Sequence, residues 1–179
     1  MKKDFLKTML MMLCAVCAFT FTACSDDDEP ATDAATKVAG SYSGNLEVFV
    51  GGTSAANESK TITLAKNTEN SIDLVISNFS ITVNFANQPI PVNMGNVTIA
   101  NCALSGSGDN YTFAGNITIP DVNVSFMGVP VQADCTVSFT NATVNGNTLT
   151  LPLTVDAKMG ETSISEALGG ITVDFTGTK

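Results

Sequence analysis

The side chains available for chemistry in this 179-residue sequence are carboxylates, lysines, hydroxyls and five cysteines; there is no histidine and no arginine. Without an imidazole no Ser-His-Asp triad can be assembled, which leaves only serine–lysine pairs as activated nucleophiles. The lysines beyond the N-terminal region (Lys37, Lys60, Lys66, Lys158 and Lys179) fall near strand ends or in loops, where an ammonium is solvated. Glu47, Asp73, Asp134, Asp156 and Asp174 could in principle supply a carboxylate pair for glycoside hydrolysis. Each sits on the parity opposite the apolar residues of its segment, so each is expected to face water. No catalytic residue is expected, and the protein is read as not an enzyme.

Cys102 and Cys135 alone, without histidine, cannot build a structural zinc site, so neither metal nor cofactor is expected. From Cys24 onward five lysines stand against sixteen carboxylates. Isolated lysines in an acidic chain cannot neutralise a run of phosphates, which excludes nucleic acid as a partner.

Cys24 carries the clearest chemical signal. Lys2, Lys3 and Lys7 precede a nearly uncharged apolar run from Thr8 to Phe21, and Ala23-Cys24 follows. The run is too short for the roughly 20 apolar residues of a spanning helix. Residues 1–23 therefore read as a secretory signal that is removed. Phe21-Thr22-Ala23-Cys24 resembles a bacterial lipobox, with Phe where Leu is usual, so Cys24 is the expected lipidation site. The alternative is ordinary cleavage that leaves Cys24 as a thiol. Acyl chains on Cys24 would make the outer membrane the first partner.

Residues 24–35 contain Asp26-Asp27-Asp28-Glu29, whose mutual repulsion predicts a solvated tether. Cys-Ser followed by acids also resembles the export signal of surface lipoproteins in gut anaerobic Gram-negative bacteria. The implied address is the outer membrane with the body facing the cell exterior, the periplasmic face being the alternative.

The elements that would position any site come from residues 36–179. Tyr42, Leu46, Val48 and Val50 alternate with polar residues, as do Leu149, Leu151, Leu153 and Val155, and again Ile171, Val173 and Phe175. Such alternation marks half-buried antiparallel strands. Turn signals divide the body into strands near 38–50, 60–66, 71–86, 91–103, 110–127, 129–144, 147–157 and 170–178. A polar loop is expected from Gly51 to Ser59, and Asn145-Gly146 is the strongest hairpin signal.

Parity changes at Ser77-Asn78 and at Pro120-Asp121 call for β-bulges. Val97–Gly106 weakly repeats as Val137–Gly146, and Ile164 and Leu168 share one face of a single helical candidate over 161–168. The expected fold is all-β: an eight-stranded antiparallel up-and-down barrel with one short helix before the last strand. A β-sandwich is the alternative. Cys102 and Cys135 fall two strands apart, about 10 Å, too far for a disulfide, so free thiols are expected.

Gly40-Ser41-Tyr42-Ser43-Gly44 resembles the Gly-x-Trp opening of lipocalins, with Tyr in place of Trp, and the chain closes on Gly177-Thr178-Lys179. With the Asn145-Gly146 hairpin and the leader, the chain resembles the calycin-like (lipocalin-like) β-barrel lipoproteins of gut anaerobes. The resemblance implies a lipocalin-like barrel and brings no catalytic or ligand residues with it.

Two functional expectations follow. In the first, the barrel binds a small apolar ligand among its inward aromatics: Tyr42, Phe79, Phe85, Tyr111, Phe113, Phe126, Phe139 and Phe175. In the second, those rings fill the barrel and the protein is a non-enzymatic surface interaction or structural module. Exposed loop residues such as Ile90, between Pro89 and Pro91, would then mark the docking site. A monomer is expected in either case. An interior cavity with a mouth distinguishes the first reading from the second.

Overall fold

The computed structural model describes residues 32–85, 88–126 and 129–179, and residues from Thr32 to Lys179 form one compact unit. Cys24 and the segment 1–31 lie outside the described residues. The elements are α1 (Ala34–Val38), β1 (Gly40–Val50), β2 (Thr53–Thr68), β3 (Ser71–Phe85), β4 (Gln88–Ala103), β5 (Ser105–Ser107), β6 (Asn110–Phe126), β7 (Val129–Asn145), β8 (Thr148–Met159), β9 (Thr162–Ser163), α2 (Ile164–Ala167) and β10 (Ile171–Thr178).

The eight long strands follow one another as an antiparallel meander, and β10 pairs with both β8 and β1 to close the barrel. The inward parity carries Val, Ile, Leu and Phe, while Ser, Thr, Asn and Asp dominate the outer wall. That is the reverse of a barrel whose strands cross a bilayer, where the apolar face points outward.

Bulges let the long strands coil. Register shifts fall between Ile76 and Phe79 and between Ile119 and Val122, with Asn78 and Asp121 at positive φ. These are the two parity changes in the sequence; Asn and Asp are the side chains that tolerate this conformation best after glycine. The weak repeat has a geometric counterpart. Inward parity passes from Ile99 to Cys102 around Asn101, and from Phe139 to Ala142 around Asn141.

Two of the differences from the sequence expectation lie in β2 and before β1. The stretch from Thr53 to Ser59 is strand, not loop: Gly51 and Gly52, both at positive φ, complete the turn, and Thr53 already pairs with Val50. Backbone pairing to β1 suffices there although Ser54, Asn57 and Glu58 are polar, and a bulge at Val48/Phe49 lets Ala55 and Ala56 both be buried. The second is α1. The Asp33 carboxylate accepts the Thr36 amide at 2.8 Å as an N-cap, and Ala35 and Val38 are buried against the barrel end. A five-residue helix is too short for periodicity to show in a sequence.

The two barrel ends are unlike. The turns after β2 and β7, helix α1 and Lys179 gather at one end, and Tyr42, Leu64, Ile72, Phe113, Phe139, Leu149 and Phe175 pack it solid. Phe113 and Phe139 meet edge to face with centroids 5.6 Å apart. Gly115 makes room for them: a β-carbon there would press on Ile99, Cys102 and Phe139.

Toward the other end the walls part. The β2–β3 ladder begins at Thr68/Ser71 and stops at Thr63/Val75. Beyond it, side chains of β2 take over. The Lys60 ammonium donates to the Ser80 carbonyl at 2.6 Å, and the Glu58 carboxylate accepts the Thr82 amide at 3.3 Å. Lys60 and Glu58 pair with each other at 2.8 Å.

A candidate apolar cavity

The open half of the barrel encloses a cavity of about 550 Å³. Its wall is built strand by strand from the inward parity: Leu46, Val48 and Val50 of β1, Ile76, Phe79, Ile81 and Val83 of β3, and Ile90, Val92, Met94 and Val97 of β4. Val124 of β6, Val131, Ala133, Cys135 and Val137 of β7, and Leu153, Val155 and Ala157 of β8 continue it. Ile171 and Val173 of β10 close the ring, and Ile164, Ala167 and Leu168 of the α2 segment lie across one side of the mouth.

Every described lining residue is apolar. Val129 and Met159, 61% and 42% exposed, line the cavity and also stand at the surface, so the cavity runs out to solvent beside them. A space remains because valine dominates the wall. Its short side chain does not reach across a barrel of this width, whereas the phenyl and phenol rings at the closed end do.

The segment from Gly160 to Gly170 is fixed to the rim by hydrogen bonds. The Ala157 amide donates to the buried Ser165 Oγ at 2.7 Å, and the Gly170 amide to the Ser165 carbonyl at 2.7 Å. The Gly51 amide donates to the Gly170 carbonyl at 2.9 Å. Ser163 caps α2 by accepting the Glu166 amide, and it donates to Asp156 at 2.9 Å. Asp156 is held below the usual carboxylate range, first by its hydrogen bond from Lys158 and then by that from Ser163.

Of the eight aromatics expected at the site, only Phe79 lines the cavity among the described residues. Tyr42, Tyr111, Phe113, Phe139 and Phe175 are buried in the packed half of the core. The side chains of Phe85 and Phe126 lie outside the described ones. Ile90, expected to be exposed, is buried on the cavity wall. It pairs with Val83 on the inward parity, and Pro89 and Pro91 occupy the outward positions beside it.

The sequence reading missed the aliphatic wall. The missing signal was position along each strand: residues near the turns after β1, β3, β6 and β8 face the cavity, and those near the alternate turns face the plug.

Cys135 lies on the wall and Cys102 in the plug, both free thiols. Burial pushes both thiols up, with a smaller push from Asp73 on Cys102 and from Asp134 and Asp156 on Cys135. Neither is poised as a nucleophile. The acids Glu47, Asp73, Asp134, Asp156 and Asp174 all sit on the outer parity, away from the cavity.

Comparison with curated proteins found no match. Among solved structures, a Bacteroides fragilis protein described as a "putative outer membrane protein" is similar with a TM-score of 0.52 and 16% sequence identity. The match covers 81% of this chain and 52% of that one, so this chain spans about half the length of its structural neighbour. That likeness speaks to the fold. The sequence profile of the Calycin-like beta-barrel domain matches residues 38–178, and the chain belongs to that family.

Proposed function

We propose that the protein is an outer-membrane lipoprotein, anchored through acylated Cys24, whose monomeric barrel binds a small apolar ligand and catalyses no reaction. The cavity carries this reading. At about 550 Å³ it falls within the range of pockets that enclose small molecules, and its apolar wall reaches solvent at Val129 and Met159. The leader, the lipobox-like Ala23-Cys24 and the acidic tether support the anchor and an outward-facing body. The description of the Bacteroides fragilis neighbour is in keeping with an outer-membrane address.

Two measurements test the binding. Native mass spectrometry of residues 25–179, purified from the protein's own host without detergent, should reveal a co-purifying mass of a few hundred daltons that is lost on denaturation. Val155→Phe, which places a ring in the cavity beside Leu153 and Val137, should abolish it while leaving the strand content unchanged. A bare mass, together with failure to bind a neutral apolar dye, would instead leave the rim around Val129 and Met159 as a docking surface. Radiolabelled palmitate incorporated by the wild-type chain and not by Cys24→Ser tests the anchor.

A further inference from the structure

The cavity wall has one seam that backbone pairing does not hold. At the level of the cavity β1 pairs with β2 (Leu46 with Glu58, Val48 with Ala56) and with β10 (Val48 with Val173). Pairing continues from β10 to β8, β8 to β7, β7 to β6 and β3 to β4. Val92 with Val124 and Asn93 with Asn123 join β4 to β6. Between β2 and β3, among the described residues, pairing stops at Thr63/Val75.

This seam lies against the cavity. Ile76, Phe79, Ile81 and Val83 of β3 line it, as do Leu46 and Val48 of β1, while no residue of β2, the strand between them, does.

A charged pair on the inward parity closes the seam. Directly paired residues share a face of the sheet, and Glu58 stands opposite Leu46 and Lys60 opposite Gly44, in the row that continues into the buried Ile62 and Leu64. Positions filled by Val, Ile and Leu on the other strands here carry an ammonium and a carboxylate, with side chains 21% and 36% exposed. Each replaces a missing strand-to-strand bond. Lys60 donates to the Ser80 carbonyl and Glu58 accepts the Thr82 amide, on either side of the lining residue Ile81. Parting β2 from β3 breaks these side-chain contacts and no ladder bond, whereas any other opening in the wall breaks backbone pairs.

We infer that the β2–β3 seam is a side port through which an apolar ligand enters and leaves the cavity, latched by Lys60 and Glu58. This rests on the binding reading above and adds control of access to it. With the latch released, an elongated hydrocarbon passes edgeways between Leu46 and Ile81, and the two side chains re-form their bonds behind it.

Stopped-flow fluorescence with Nile red tests the port on residues 25–179, which contain the whole compact unit. Lys60→Met keeps an unbranched stem and removes the donor. It should raise the association and dissociation rates of the dye by the same factor, about threefold or more, with Kd unchanged, because a gate alters the barrier in both directions. Lys60→Arg, which retains a donor for the Ser80 carbonyl, should stay near the wild-type rates. Lys66→Met, which removes the ion pair with Asp33 at the plugged end, should leave them unchanged. Wild-type rates in Lys60→Met would overturn the port, route the ligand past Val129 and Met159, and leave the binding reading standing. Equal acceleration by Lys66→Met, or a weaker Kd in Lys60→Met at an unchanged association rate, would also overturn the port. Failure of the wild-type protein to bind the dye would overturn both.

Discussion

The ammonium of Lys179 lies over the ring of Tyr42, 5.4 Å from its centroid, so the last residue of the chain seals the first strand. The same ammonium donates to the carbonyls of Lys37 at 2.6 Å and Ala39 at 3.1 Å. Beneath it the Tyr42 hydroxyl donates to the Val38 carbonyl at 2.6 Å. One side chain thus ties the exit of α1 to the end of β10, across the plugged end of the barrel. The Gly-x-Tyr and Gly-x-Lys that open and close the folded unit meet here.

Removing the phenol hydroxyl strands the buried Val38 carbonyl. Tyr42→Phe should lower unfolding free energy by about 1–2 kcal/mol, read from the urea midpoint at constant slope. Burial pushes the Tyr42 phenol up to about 12. A folded-state value above the unfolded one means that this stabilisation is complete below pH 10 and is lost as pH rises toward 12. Absorbance at the phenolate band should show Tyr42 ionising late in that window, and Tyr42→Phe should remove that step.

Asp33 anchors the other side of the plug. Its carboxyl is lowered to about 2, first by the hydrogen bond from Lys66 and then by the Thr36 amide. A depressed acid contributes stability above its unfolded pKa and loses it as pH falls through the folded one. Stability should therefore decline between about pH 4 and pH 2, and Asp33→Asn should flatten that limb. An unchanged acid limb in Asp33→Asn would show that the cap is not coupled to folding.

The seam that closes the barrel leaves no room for a side chain at Gly44. Gly44 of β1 faces Gly177 of β10, and a β-carbon on Gly44 would collide with the Thr176 carbonyl and the Gly177 α-carbon. Gly44→Val should cost more than about 3 kcal/mol, because the obstacle is backbone and cannot rotate away. Gly52→Ala, where a β-carbon meets open space and only a positive φ opposes it, should cost about 1 kcal/mol. Thermal unfolding of the two variants compares these directly.

Where the β2–β3 ladder ends, Lys60 and Glu58 stand in for backbone partners. Lys60→Ala should change global stability by less than about 1 kcal/mol, since the pair is partly open to solvent. Amide exchange should nevertheless quicken severalfold at Ser80–Thr82 and not at Ile72–Leu74, where the ladder is intact. Uniform acceleration along β3 would contradict the local role of this pair.

Both thiols should resist a disulfide reagent in the native body and react fully, as two equivalents without reduction, once it is unfolded. Oxidised Cys102 and Cys135 would contradict the strand order, in which β6 separates β4 from β7.

Alternation with a period of two determined most of the strands, their inward faces and their order, though not the polar Thr53–Ser59 half of β2, which backbone pairing to β1 holds. A short-range meander leaves few other topologies, and bulges at Asn78 and Asp121 are visible as parity slips. The leader and Cys24 are equally local signals. Period two says which face a residue takes, and nothing about how far along the barrel axis it lies. Whether Tyr42 and Val48, on the same face of β1, would plug the barrel or line a space depended on what seven other strands brought to each level. Only the assembled barrel decided that the rings gather at one end, that the valines fall short of each other at the other, and that Ile90 turns inward. The volume left over is a sum over distant residues, and no local stretch of sequence encodes it.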